Sequence, residues 1–118
     1  MDTSVSDARD PRQLAINLGC GRHPIASTPE VRWINIDALA LPGVDWQYDL
    51  WQVPWPLPDE SVDHVYSRFF LEHIPHTLPA SHLDGFFAVW AEIWRVLKMG
   101  ATTAHEVPWV LSMETWSD

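Results

Sequence analysis

The sequence predicts an α/β domain, a layered sandwich built on a mainly parallel sheet of about five strands. Three observations carry that expectation. The run Leu14-Ala15-Ile16-Asn17-Leu18 has the apolar character of a buried parallel strand and feeds directly into a loop with Gly19 and Gly21. A second apolar run, Trp33-Ile34-Asn35-Ile36, follows and ends in an acid, Asp37. A long amphipathic segment then separates two further strand-like runs. Strands joined through such a segment run parallel, with right-handed crossovers.

The elements follow in order. Residues 1–12 are polar and carry both signs of charge, which predicts a mobile arm before a single domain at 13–118. The first strand is expected at 14–18. Pro24 and Pro29 leave room only for a short helix after the glycine loop. The second strand is expected near 33–36. Pro42-Gly43 marks a turn-rich connection to a brief third strand at 46–48, which leads into Asp49-Leu50. The segment Val53-Pro54-Trp55-Pro56-Leu57-Pro58 lacks the backbone donors of a helix interior or central strand and should be an extended loop. A fourth strand is expected at 62–66, with residues 67–74 at its carboxyl end.

The clearest helix spans 81–98. Leu83, Phe86, Phe87, Trp90, Ile93, Trp94 and Leu97 form the stripe expected to lie on the sheet. Ser81 is the expected cap, with Asp84 three residues on. Lys98 complements the helix dipole and Gly100 is the expected stop. Gly85, which costs about 1 kcal/mol relative to alanine inside a helix, marks a close approach to the sheet. A fifth strand follows at 102–107. Two of the crossovers are too short for full helices, so the sandwich should be a trimmed one.

Composition narrows the function. At 118 residues the chain is one domain, and its 47% hydrophobic content argues against disorder. No apolar run approaches the roughly 20 residues of a membrane span, and the N-terminus lacks the pattern of a signal or transit peptide. The single cysteine fits a reducing, cytoplasmic setting. The net charge is -9, and Lys98 is the only lysine beside six arginines. No basic face of the kind that binds a nucleic-acid backbone is visible. Eight tryptophans are expected to fill the core and the helix–sheet contacts, with an aromatic ligand pocket as the alternative.

Strand, glycine loop, strand, acid is the layout of a cofactor site at the carboxyl edge of a parallel sheet. The glycines admit close backbone approach, and Asp37 can accept from two ribose hydroxyls. A dinucleotide fingerprint would want glycine or alanine where Pro24 stands. His73 and His76 are three apart with Pro75 between them, unlike the i, i+4 pair of a helical zinc site, so no metal is expected near Glu72 and His82. Cys20 reads as a small residue in a tight loop, and His64 as structural.

Together these residues resemble the class I S-adenosylmethionine-dependent methyltransferases, in particular the small Rossmann-like members with an LGCG loop. The resemblance rests on Leu18-Gly19-Cys20-Gly21, Asn35-Ile36-Asp37, Asp49-Leu50 and Val62-Asp63-His64-Val65-Tyr66-Ser67. It continues through Leu71-Glu72-His73-Ile74 and the helix end Glu92-Ile93-Trp94-Arg95-Val96-Leu97-Lys98-Met99-Gly100. It implies that Gly19, Cys20 and Gly21 face the methionine part of S-adenosyl-L-methionine. It puts Asp37 on the ribose, and Asp49 with the Leu50 backbone at the adenine edge. Ser67 would lie beside the methionyl end and the substrate. Glu72 and His73 are the catalytic candidates: both are expected to orient backbone near the cofactor, or His73 acts as a general base on a substrate hydroxyl or amine.

The chain departs from the family pattern at His23, where a third glycine is frequent, and at Met99-Gly100-Ala101 in place of PGG. The family's last two strands, a C-terminal hairpin, have no counterpart, which predicts a truncated domain whose fifth strand is an open edge. That edge invites self-association. The expected function is methyl transfer to a small-molecule or other non-nucleic-acid acceptor. The alternative is a non-catalytic, cofactor-binding or interaction remnant.

Overall fold

The computed structural model describes residues 9–108, so most of the expected arm and the segment after Pro108 lie outside the described residues. Five strands form one sheet: β1 (Gln13–Leu18), β2 (Val31–Asp37), β3 (Trp46–Gln47), β4 (Val62–Arg68) and β5 (Leu97–Glu106). Every neighbouring pair is parallel, in the order β3-β2-β1-β4-β5. Strand order reverses between β1 and β4, and the carboxyl ends beside that reversal are where such sheets hold ligands.

One face of the sheet packs against the single α-helix among the described residues, α1 (Gly85–Val96); Leu71–His73 form one 3-10 turn after β4. Val89, Ile93 and Val96 join Ile16, Leu18, Ile34, Ile36 and Val65 in one core. Each such side chain contributes roughly 1.5–3 kcal/mol on burial.

The helix is shorter than the sequence predicts, and it is turned. Its cap is Asp84, whose carboxylate accepts from the Phe87 amide at 3.1 Å, not Ser81. Residues 77–84 are held as a turn by a Thr77–Asp84 bridge and by the Leu83 carbonyl, which accepts from the Leu78 amide. Leu78, fully buried, anchors that turn. Gly85 does mark a close approach, but to a loop: an added Cβ would meet the Pro75 carbonyl oxygen. The far end needs no glycine stop, because the Arg95 and Val96 carbonyls accept from the Glu60 and Ser61 amides before β4. Lys98 lies beyond the helix and pairs with Asp63 at 3.2 Å. Gly100 sits within β5, at φ 81°, where the β4–β5 register shifts.

The expected stripe is only partly the buried one. Ile93 is buried, and Trp90 and Leu97 pack against the core, but Leu83, Phe86, Phe87 and Trp94 are exposed, and Val89, Glu92 and Val96 face inward in their place. The proline-rich loop sets this rotation. The Glu92 carboxylate accepts from the buried Trp55 amide at 2.5 Å, and Arg95 donates to the Trp55 and Leu57 carbonyls, to Glu92 and to Asp59. An extended segment rich in proline cannot pair its own backbone, so a charged residue pair on the helix supplies partners, and that face must turn inward. The tryptophans divide accordingly. Trp46 and Trp55 are core and Trp94 is 81% exposed.

The other face carries no helix among the described residues. The loop at 19–30 lies against part of it, tied down by two buried asparagines. Asn17 Nδ2 donates to Asn35 Oδ1 and to the His23 carbonyl. Asn35 in turn bonds both backbone groups of Ile25 and the Asp45 carboxylate. These contacts are the physical form of the trimmed crossover.

Candidate functional site

The glycine loop turns sharply after β1. Gly19 and Gly21 have φ of 61° and 53°, a region that costs any residue with a Cβ. Within the loop the Cys20 amide donates to the Ile36 carbonyl and the Gly21 amide donates to Asp37 Oδ2 at 2.8 Å. The second oxygen of Asp37 accepts from the Leu39 amide at 2.9 Å. One carboxylate thus brackets the ends of β1 and β2. Asp49 is fixed similarly, its Oδ1 accepting from the Trp51 amide at 3.0 Å.

These ends surround a cavity of about 220 Å³. Of the residues singled out in the sequence, Gly19, Asp37, Asp49, Leu50 and His73 line it. Its aromatic walls are Tyr48, Trp51, Phe69 and Phe70. Trp51 and Phe70 stack with centroids 5.3 Å apart, and the Phe70 ring lies directly over Gly19. Sequence reasoning missed these walls. The signal was present, since Trp51 and Phe70 flank motif residues, but apolar residues beside strand ends read equally as core.

Other expected site residues lie apart from the cavity. Cys20 is buried beneath the loop, and burial, reinforced by the Asp37 and Asp45 charges, pushes its thiol up to about 11. It is therefore protonated at neutral pH and is no nucleophile. Gly21 carries the loop but does not line the cavity. Glu72 is half-buried, and its Oε1 has no partner among the described residues.

Ser67 is fully buried and meets His105 Nδ1 at 2.5 Å. His105 Nε2 lies 2.6 Å from the Thr103 hydroxyl, which donates its one proton to the Val65 carbonyl at 3.0 Å. Proton counting fixes the set: Nε2 donates to Thr103, and Nδ1 accepts from Ser67. His105 is held neutral, its pKa lowered by burial and by the charge of His64.

Two larger hollows, about 410 and 560 Å³, flank residues 98–101 at the opposite end of the sheet and contain none of the glycine loop. Among the described residues no group of histidine, cysteine and acid side chains is arranged to hold a metal. No helix there is long and apolar enough to cross a membrane.

A family model described as a methyltransferase domain matches residues 21–104, most of the chain, from the second loop glycine into β5. No curated protein matches the sequence.

Proposed function

The chain belongs to the methyltransferase-domain family, of the class I S-adenosylmethionine-dependent kind, and from that premise we propose that it binds S-adenosylmethionine and methylates a small-molecule acceptor. The observation that carries the proposal is the convergence of Asp37 and Asp49, from the ends of β2 and β3, on one cavity with Gly19.

The chain's own groups suit the nucleoside part of that cofactor. Each Asp37 oxygen takes one backbone amide and keeps lone-pair capacity for a ribose hydroxyl. The flat faces of Tyr48, Trp51 and Phe70 suit a base, with Asp49 at its edge. At about 220 Å³ the cavity is smaller than the ~300–1,000 Å³ of pockets that enclose a whole ligand, so the remainder would lie over the loop at Gly21, where nothing stands within 4 Å of an added Cβ.

When bound, the cofactor supplies an already activated methyl group. The protein's part is to hold the acceptor in line and keep water out. His73, in the cavity wall, is placed to take a proton from a hydroxyl or amine acceptor. A net charge of -9 and the acids at the strand ends disfavour a polyanionic acceptor.

Titration calorimetry with S-adenosylhomocysteine tests the reading. Binding is expected, and no heat would sink it. Asp37→Ala should weaken binding more than Asp49→Ala, since two hydroxyl bonds to a carboxylate, each worth roughly 1.5–3 kcal/mol, are lost against one. Equal losses would refute the assignment of ribose and base.

A further inference from the structure

Arg68 is the last residue of β4 and stands opposite Glu106 in the β4–β5 register. Cross-strand neighbours of opposite charge can pair. Here they do not. The Glu106 carboxylate is taken by the Tyr66 hydroxyl, two residues back on the same face as Arg68. Arg12, Arg95 and Lys98 are all held by carboxylates, but no described carboxylate forms an ion pair with Arg68. Its guanidinium lies instead over the ring of Phe69, 4.8 Å from the centroid.

Phe69 is a wall of the cavity, 43% exposed, and its backbone is in the left-handed region at φ 55°. A phenylalanine holds that conformation only where its surroundings impose it. The constraint is visible: the Phe69 amide donates to the Glu106 carbonyl at 2.8 Å. The chain thus keeps an aromatic face at the cavity, with a guanidinium over it that pairs with no described carboxylate.

We propose that the methyl acceptor is an organic acid, its carboxylate paired with Arg68 and its apolar part against Phe69. This rests on the cavity being the methyl-transfer site. A guanidinium fork receives carboxylate and phosphate alike. The acids Asp37 and Asp49 in the same cavity repel a phosphate dianion more than a carboxylate monoanion, which favours the carboxylate.

The test is a tryptophan-fluorescence titration with phenylacetate, its methyl ester and phenyl phosphate, on protein first shown to bind S-adenosylhomocysteine and then saturated with it. Failure of S-adenosylhomocysteine to bind would sink the underlying reading instead of this one. Phenylacetate should bind about fivefold more tightly than the ester, the range of one exposed ion pair. Arg68→Gln should abolish that preference, Arg68→Lys should keep part of it, and S-adenosylhomocysteine affinity should stay unchanged in both. The proposal is overturned if the ester binds as well as the acid, if phenyl phosphate binds more tightly than phenylacetate, or if none of the three binds. It is also overturned if Arg68→Gln loses S-adenosylhomocysteine, because the guanidinium then serves the cofactor's own carboxylate.

Discussion

Gly19→Ala should be the most damaging small change in this chain, and its size can be built from two parts. The first is local. At φ 61° an alanine pays roughly 1–2 kcal/mol for the left-handed conformation. The second is steric. The new Cβ would stand 2.6 Å from Phe70 Cδ1 and 3.4 Å from Cγ and Cε1. Phe70 is 7% exposed and stacked on Trp51, so its ring cannot simply swing away. Overpacking of this kind costs about 1–3 kcal/mol. The sum, roughly 2–5 kcal/mol, is a large share of the ~5–15 kcal/mol that holds most domains folded. Gly21→Ala is the internal control: φ is 53°, nothing lies within 4 Å of its Cβ, and only the ~1–2 kcal/mol backbone cost applies. Urea unfolding of both variants therefore isolates the clash as their difference. Phe70→Leu in the Gly19→Ala background should restore part of the loss, with a coupling of at least ~1 kcal/mol in the double-mutant cycle. Equal stability of the two alanine variants, or no coupling to Phe70, would show that the ring does not rest on the loop.

Three further outcomes follow from the geometry. His105 is neutral in the fold, so the unfolded chain binds more protons once pH drops below the ordinary histidine value of about 6.5. Stability should fall as pH decreases through that window, and His105→Gln should flatten this part of the profile; an unchanged slope by thermal melts would contradict the Ser67–His105–Thr103 assignment. Glu92→Leu leaves the buried Trp55 amide without its acceptor and should cost about 1–3 kcal/mol, more than Asp59→Ala, which removes only an exposed partner of Arg95; equal effects in chemical denaturation would mean that the loop is held otherwise. We further predict association through β5, an edge strand among the described residues, favoured by salt because it screens the charge of -9; a salt-independent monomer in light scattering would end that prediction.

The strands were legible because a parallel strand buried on both faces must be apolar almost throughout, as 14–18 and 33–36 are. Asp37 was legible from its place at the end of the second strand and Asp49 through the family resemblance, and the two share a cavity with Gly19. What misled was periodicity without polarity. Phe86, Phe87 and Trp94 are exposed, whereas the buried face includes the charged Glu92. The reason lies about forty residues upstream, in backbone donors and acceptors that a proline-rich loop leaves unpaired. No local window contains that information. The same holds for Asn17 and Asn35, polar residues within apolar strands, whose partners include the loop that follows β1.

The bond from the Phe69 amide to the Glu106 carbonyl joins the cavity wall to the last residue of β5, an edge strand among the described residues. Phe69 sits in the left-handed region at that junction, so the aromatic wall is anchored to a strand that contributes no side chain to the cavity.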